Sequence, residues 1–152
     1  MQRILITGMS GVGKSTVAAR LSDLGYMAVD TDYGGFSVVD EHGAQRWDVD
    51  RIRQLLDPED VDVLFVVGSD EDQGLFYPEF DNIVLLSAPR DVIVDRLEGR
   101  TNNPFGKRPE ELAKALADLE MFEPMMRRSA THEIDISKPL DRVIDEILDL
   151  VR

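Results

Sequence analysis

Cysteine is absent from this chain of 152 residues, and its absence excludes several kinds of chemistry. Without thiols there is no disulfide framework, no thiolate nucleophile and no zinc–thiolate site. Long apolar runs are also missing, since none approaches the roughly 20 residues that a membrane-spanning helix needs. The short apolar stretch near the start runs directly into a glycine-rich turn, so we interpret it as a strand rather than a secretory leader. We therefore expect a cytoplasmic protein with no membrane partner.

Basic residues are scarce: there are 17 Lys and Arg against 30 Asp and Glu, giving a formal net charge of −13. So acidic a surface repels a phosphate backbone, and we expect no nucleic-acid partner. A small anionic ligand is not excluded, because a local group of cations can focus positive potential in a cleft. The length suits one domain spanning residues 1–152, and the sequence leaves the oligomeric state open.

Short apolar runs alternate with amphipathic segments along the chain. Strands are predicted at five places: Ile4–Ile6, Tyr26–Val29, Val63–Val67, Ile83–Leu86 and Glu133–Ile136. Three of these runs, at Ile4–Ile6, Val63–Val67 and Ile83–Leu86, are rich in β-branched residues and nearly uninterrupted, which is typical of a parallel sheet buried on both faces. Glu133–Ile136 alternates between polar and apolar residues, as is typical of an edge strand. Helices are predicted between and after the strands: Lys14–Leu24, Asp91–Glu98, Pro109–Arg128 and Leu140–Val151. The pattern predicts an α/β three-layer sandwich, a five-stranded parallel sheet with helices on both faces.

One octapeptide carries the strongest chemical signal. Residues 8–15 read Gly-Met-Ser-Gly-Val-Gly-Lys-Ser and fit the P-loop pattern G-x-x-x-x-G-K-[ST] at every fixed position. The glycines let backbone N–H groups approach phosphate oxygens, and the following helix adds its positive end. Lys14 is expected to reach the β- and γ-phosphates, and the Ser15 hydroxyl to bind Mg²⁺.

The predicted cofactors are therefore ATP and Mg²⁺, although the sequence does not decide between ATP and GTP. The residues predicted to bind the nucleotide form one continuous segment: Gly8, Met9, Ser10, Gly11, Val12, Gly13, Lys14, Ser15 and Thr16.

Two other classes of P-loop protein find no support. The buried run Val63–Val67 leads into Gly68-Ser69-Asp70 and not into an Asp-Glu pair that would activate water. An Asn-Lys-x-Asp motif for guanine is also missing, since the residues at 136–139 are Ile-Ser-Lys-Pro. Small P-loop kinases remain as the natural class.

The second predicted strand ends in Val29-Asp30-Thr31-Asp32, with two carboxylates at positions i and i+2. We expect both to point the same way at the carboxyl edge of the sheet, where ligands bind in open α/β folds. Asp30 is predicted to hold a water of the Mg²⁺ shell, and Asp32 to accept the proton of a substrate hydroxyl. The spacing alone also allows the two roles to be exchanged, and a solvated turn with Asp as a cap is the alternative.

Cations cluster after the fourth predicted strand, at Arg96, Arg100, Lys107 and Arg108. We predict a lid over residues 99–108, with Arg100 and Lys107 as catalytic cations that neutralise the transferred phosphoryl group. The alternative is a solvated basic loop. Asp70 and Asp72 follow the third predicted strand, and the sequence leaves open whether they serve metal, acceptor or solvent.

These motifs, in this order, resemble the shikimate kinase-like and nucleoside monophosphate kinase-like group of small P-loop kinases. The chain is also similar to short bacterial proteins labelled as AAA-family ATPases. The resemblance implies that Arg100 faces the adenine, that Lys107 faces the transferred phosphate, and that a loop holding Ser137, Lys138 and Pro139 wraps the base. The Gly68-Ser69-Asp70 turn departs from the Gly-Gly-Gly turn of shikimate kinases, which puts shikimate itself in doubt.

The leading prediction is an ATP- and Mg²⁺-dependent phosphotransferase, a kinase that moves the γ-phosphoryl group to a hydroxyl of a small metabolite. The residues around 33–57, with a hairpin or loop at Phe36–Trp47, are predicted to be an insertion on the acceptor side. One alternative is a nucleoside monophosphate kinase. Another is a nucleotide-dependent switch or slow ATPase that has no small-molecule acceptor.

Overall fold

The computed structural model describes residues 1–9, 11–57, 61–99 and 108–152. The strands are β1 (Gln2–Thr7), β2 (Met27–Asp30), β3 (Ser37–Val39), β4 (Gln45–Trp47), β5 (Val63–Val67), β6 (Asn82–Ser87) and β7 (His132–Asp135). The helices are α1 (Lys14–Asp23), α2 (Val49–Leu55), α3 (Arg90–Gly99), α4 (Pro109–Ser129) and α5 (Leu140–Asp149), with a 3₁₀ helix at Gln73–Glu79. All nine predicted strands and helices are confirmed, with bounds that differ by at most a few residues.

Five strands form one parallel sheet in the order β2-β5-β1-β6-β7. β1 lies at the centre, and β7 is an edge strand, as its alternating sequence predicts. Because all five strands run the same way, the segments that follow β1, β2 and β5 emerge at one edge of the sheet. This carboxyl edge therefore brings together the glycine-rich loop, the Asp30–Asp32 turn and Gly68.

Side chains of the central strands pack alternately against the two faces of the sheet. On β1, Ile4 and Ile6 enter a core shared with α1, α3, α4 and α5, whereas Leu5 enters a second core. The second core contains Trp47, Phe76 and residues of α2. Each such buried side chain contributes about 1.5–3 kcal/mol through the area it removes from water. Helices therefore cover both faces, which confirms the predicted three-layer architecture.

The segment after β2 is a hairpin followed by a helix. β3 and β4 pair antiparallel, with Ser37 opposite Trp47, so the predicted hairpin is confirmed. The sequence pattern does not predict α2, which is only seven residues long and buries just Ile52 and Leu55. Its start is fixed by Asp48, whose side chain accepts hydrogen bonds from the backbone N–H groups of Asp50 and Arg51.

None of the helices in the described parts of the chain is long and apolar enough to cross a membrane.

Candidate functional site at the carboxyl edge of the sheet

The loop between β1 and α1 is shaped as a cradle for phosphate. Gly13 is the N-cap of α1 and has a left-handed backbone with φ of 87°, which favours glycine. A Cβ atom at Gly13 would lie 2.8 Å from Nη1 of Arg96, so the guanidinium would have to move away from the loop. The side chain of Val12 is buried in the larger core and anchors the loop from below. These features fit a phosphate group at the positive end of α1.

Lys14 and Ser15 begin α1, and their side chains contact the P-loop backbone and the end of β2. Lys14 Nζ donates hydrogen bonds to the carbonyl oxygens of Gly8 at 2.6 Å and of Met9 at 3.2 Å. Ser15 Oγ donates to Asp30 Oδ2 at 2.6 Å. The structure thus brings the P-loop hydroxyl and the first carboxylate of the pair into direct contact.

Asp30 and Asp32 are arranged by a turn and not by strand alternation. β2 ends at Asp30, and Asp30 Oδ1 accepts a hydrogen bond of 3.1 Å from the backbone N–H of Asp32. Strand alternation, on which the expectation of a common direction was based, therefore does not extend to Asp32, because β2 ends at Asp30. The turn nevertheless keeps Asp32 near both Lys14 and Asp30, whose charges act on it.

The Asp32 carboxyl group is electrostatically perturbed. Burial raises its pKa above the ordinary value, although part of the side chain faces solvent. The Lys14 ammonium lowers the pKa in part, and the Asp30 charge raises it again. A carboxyl group held less acidic than usual beside a phosphate cradle is typical of a functional position.

This pKa shift predicts a cost in stability at neutral pH. Because the folded state binds the Asp32 proton more tightly than the unfolded state, stability falls as the pH rises from below the ordinary pKa through the raised one. We expect Asp32→Asn to raise the melting temperature at pH 7 and to leave it nearly unchanged near pH 3. Thermal unfolding at both pH values checks this, with Asp145→Asn on the exposed face of α5 as a control for net charge. An equal or larger rise in the control variant would contradict the prediction.

The oxygen atoms of Ser15 and Asp30 suit a hard divalent cation such as Mg²⁺. Within the described residues, no group of three or more His, Cys, Asp or Glu side chains forms a metal cage. Mg²⁺ commonly keeps several waters and binds one or two protein groups together with substrate phosphates. The donor set therefore fits Mg²⁺ that arrives with a nucleotide.

Asp70 and Asp72, whose roles the sequence leaves open, both have protein partners. Asp70 Oδ1 accepts from the backbone N–H of Trp47 at 3.0 Å, and Asp70 Oδ2 accepts from Asp72 N at 2.9 Å. The Asp72 carboxylate pairs with the guanidinium of Arg46, which also binds Glu71 at 2.7 Å. These contacts tie the β3–β4 hairpin to the segment after β5.

Gly68 is a position where any side chain would collide with this arrangement. A Cβ atom there would lie 1.9 Å from Thr31 Oγ1 and 3.7 Å from the Trp47 ring. We expect Gly68→Ala to destabilise the protein by about 1–3 kcal/mol, as overpacking does in other interiors.

Urea denaturation of Gly68→Ala and Gly43→Ala measures this cost. Gly43 also has a positive φ, of 79°, but no atom lies within 4 Å of its would-be Cβ. The Gly43 variant therefore reports backbone strain without a collision. A Gly68 variant no less stable than the Gly43 variant would contradict the inferred collision.

The loop after β7 faces the P-loop through Arg96. Arg96 Nη2 donates to the carbonyl oxygen of Ile136 at 3.2 Å, while its Nη1 lies against Gly13. A cation beside the positive end of a helix is unfavourable on its own and becomes favourable when an anion is bound between them. Sequence reasoning placed Arg96 with the lid cations, and no local motif indicates that it reaches the P-loop.

The residues predicted to wrap the base form a short turn before α5. Asp135 Oδ1 accepts from the backbone N–H of Ser137 at 2.8 Å, and the Ser137 hydroxyl donates to the same oxygen. Lys138 Nζ pairs with Glu146 at 2.7 Å, and Pro139 is the N-cap of α5. The Lys138 side chain is thus held by α5.

Three of the predicted site residues lie outside the described residues: Ser10, Arg100 and Lys107. The same holds for all of the predicted lid except its ends. Arg108, at the lid's end, is the N-cap of α4 and lies 3.8 Å from Glu111.

The sheet order and the glycine-rich loop define the class of protein as a P-loop fold of the shikimate kinase type. The chain belongs to the AAA domain family, whose model matches residues 4–117. Together with the relatives and solved structures described below, this match confirms the resemblance to shikimate kinase-like P-loop proteins.

Known relatives include a kinase and proteins named only for nucleotide binding. Shikimate kinase 2 of Yersinia enterocolitica is 25% identical over 168 residues, which cover 99% of this chain and 95% of the relative. A nucleotide-binding protein of Pseudoalteromonas atlantica is 29% identical over 161 residues, covering 97% of this chain and 54% of that protein. The chain thus spans about half the length of the second relative.

Among solved structures, the shikimate kinase of Acinetobacter baumannii in complex with shikimate superposes with a TM-score of 0.70. The alignment covers 99% of this chain and 93% of that chain at 19% identity. At this identity the likeness establishes the fold.

Proposed function

We propose that the protein is an ATP- and Mg²⁺-dependent kinase that transfers the γ-phosphoryl group to a hydroxyl of a small molecule. The observation that carries the proposal is the 2.6 Å hydrogen bond between Ser15 and Asp30, next to Asp32 and Lys14. A phosphate cradle, a hydroxyl–carboxylate pair for a hard cation and a carboxyl group of raised pKa meet at one edge of the sheet. These are the parts that positioned phosphoryl transfer requires.

Each residue has a separate task in this proposal. The P-loop backbone and Lys14 bind the triphosphate, and Ser15 and Asp30 hold Mg²⁺, Asp30 through a water. Mg²⁺, when bound, neutralises the charge that develops on the transferring phosphoryl group. Asp32 orients the acceptor hydroxyl and receives its proton, and the raised pKa brings this base closer to neutral pH. Arg96 adds a cation between the P-loop and the base loop.

Acceptor-side arginines favour a hydroxyl acceptor over a nucleoside monophosphate. A phosphate-bearing acceptor needs arginines that are available to clamp it. Arg46 is held by Glu71 and Asp72, Arg53 binds Glu79 at 3.2 Å, and Arg51 lies 3.7 Å from Asp48. These three described arginines are thus engaged with the protein's own carboxylates.

A nucleotide switch is the second candidate, and relatives named only as nucleotide-binding proteins favour it. In that case ATP would be hydrolysed slowly and no metabolite would accept the phosphoryl group. The two candidates differ in whether a small molecule accelerates ADP formation.

A coupled assay of ADP formation over a metabolite panel tests the proposal. The panel holds neutral polyols, sugars, hydroxy acids and nucleoside monophosphates, each with ATP and Mg²⁺. We expect at least one hydroxyl compound to raise the rate well above basal hydrolysis, and nucleoside monophosphates to have no effect. If only nucleoside monophosphates accelerate ADP formation, the acceptor is a phosphate group and not a hydroxyl. If no compound accelerates it, the result favours the nucleotide switch.

A further inference from the structure

The indole of Trp47 makes a buried contact with the turn that carries the two carboxylates. Trp47 Nε1 donates to Thr31 Oγ1 at 3.2 Å, and the two residues are only 6% and 1% exposed. Thr31 lies between Asp30 and Asp32 in the chain. Trp47, on the β3–β4 hairpin, therefore contacts the residue that lies between Asp30, proposed for the Mg²⁺ shell, and Asp32, the proposed base.

Thr31 is held from two sides. Its hydroxyl donates to the carbonyl oxygen of Val67 at 3.2 Å, and its backbone N–H donates to the same oxygen at 2.9 Å. The Thr31 hydroxyl thus donates a hydrogen bond to β5 and accepts one from Trp47. Because both groups are buried, removal of either partner leaves a polar atom without compensation.

The hairpin is in turn linked to the P-loop side of the site. Trp47 N donates to Asp70 at 3.0 Å, and Asp70 N donates to Gln73 Oε1 at 3.0 Å. Gln73 Oε1 also accepts from Thr7 Oγ1 at 3.2 Å, and Thr7 immediately precedes the P-loop. A continuous set of hydrogen bonds thus joins the residue before the P-loop to the carboxylate turn, by way of Trp47.

We propose that Trp47 is a positioning residue. Through its hydrogen bond to Thr31 it holds the Asp30–Thr31–Asp32 turn in the position in which Asp30 accepts the hydrogen bond from Ser15. For the effect on Asp32 this inference rests on the proposed function. The effect on Asp30 concerns the Mg²⁺ shell alone and is measurable without any acceptor. Groups that orient metal-binding residues in this way typically contribute about 10- to 100-fold to metal affinity or activity.

Two variants separate positioning from simple packing. Trp47→Phe keeps an aromatic ring beside Phe76, whose centroid lies 5.9 Å away, but removes the Nε1–H donor. Thr31→Val keeps the shape of the threonine and removes both the acceptor for Trp47 and the donor to Val67. Thr31→Ser retains the hydroxyl and serves as the rescue variant. Arg46→Gln breaks the other anchor of the hairpin, to Glu71 and Asp72, without touching Thr31.

Calorimetric titration of the full chain with ADP, repeated over a series of Mg²⁺ concentrations, tests the inference. We expect Trp47→Phe and Thr31→Val each to raise the half-saturating Mg²⁺ concentration about tenfold while the metal-free ADP affinity stays at the wild-type value. The double variant should show no increase beyond that of Thr31→Val, because Thr31→Val already breaks the hydrogen bond with Trp47. Thr31→Ser and Arg46→Gln should stay close to wild type.

An unchanged Mg²⁺ requirement in the folded variants would overturn the positioning role, as would an equal shift in Arg46→Gln. If Trp47→Phe does not fold, an unchanged Mg²⁺ requirement in Thr31→Val would still overturn the positioning role, because that variant also lacks the hydrogen bond with Trp47. A wild-type chain that binds no ADP at all would overturn the proposed function together with this inference. A shift in the Mg²⁺ requirement without any acceptor in the panel would support the positioning role and count against the kinase.

Discussion

Replacement of Lys14 by alanine is expected to lower ATP turnover by about 10²- to 10³-fold, the usual loss when one preorganised cationic or hydrogen-bonding group leaves a reacting centre. The affinity for the triphosphate should fall by about 10- to 100-fold, since a charge-assisted hydrogen bond contributes about 1.5–3 kcal/mol. The physical reason is the position of Lys14 Nζ, which donates hydrogen bonds to the P-loop carbonyl oxygens of Gly8 and Met9 and so places its charge beside the phosphate cradle. Calorimetry and a coupled ADP assay measure the two effects.

A second lysine provides the control for Lys14→Ala. Lys114 lies on the exposed side of α4, where it pairs with Asp118 at 2.9 Å. Lys114→Ala makes the same change in net charge far from the P-loop in sequence, and such exposed pairs contribute little. Both nucleotide affinity and turnover should stay at the wild-type level in this variant. Wild-type binding and turnover in Lys14→Ala itself would refute the assignment of this loop to the phosphates.

Asp32→Asn is expected to lower acceptor-dependent turnover by about 10²-fold or more, the scale of a positioned general base. ATP affinity should stay nearly unchanged, because Asp32 is assigned to the acceptor and not to the triphosphate. The amide keeps the size of the side chain but removes the group that takes the proton. Steady-state kinetics with the acceptor found in the panel, together with calorimetry for ATP, separate the two effects.

Asp30→Asn provides the contrast within the same turn. Asp30 contacts Ser15 directly, so its replacement should act mainly through a higher Mg²⁺ requirement and less through the acceptor. If Asp30→Asn abolishes transfer at saturating Mg²⁺ while Asp32→Asn does not, the two roles are exchanged. If both variants keep the acceptor-dependent rate of the wild type, neither carboxylate takes part in transfer.

The donor half of this site could be predicted from the sequence because its signals are local. The spacing of Gly8, Gly13 and Lys14 fixes a loop and a helix start within one continuous segment. The predicted strand Val63–Val67 matches the observed strand at both ends, since an uninterrupted apolar run of this length indicates burial on two faces of a sheet. Such features depend on neighbours in the chain and little on distant packing.

Features that depend on long-range contacts escaped prediction. Trp47 meets Thr31 across 16 positions, and Arg46 meets Asp72 across 26, so neither pair leaves a periodic signal. Arg96 was grouped with its neighbours in sequence, yet it reaches Ile136, 40 positions away. The turn at Asp30–Asp32 has a different cause: β2 ends at Asp30, two residues before Asp32, so strand alternation does not place the second carboxylate. The proposed acceptor side of the site depends on long-range contacts of this kind.

The most direct test of the kinase proposal follows the transferred group itself. The protein is incubated with Mg²⁺, ATP labelled in its γ-phosphoryl group and a deproteinised metabolite extract, and the products are separated by chromatography. We expect the wild-type chain to place label on a small molecule that is absent when Lys14→Ala or Asp32→Asn is used. Label recovered only as inorganic phosphate, at the same rate with and without extract, would contradict the proposal that this site phosphorylates a hydroxyl.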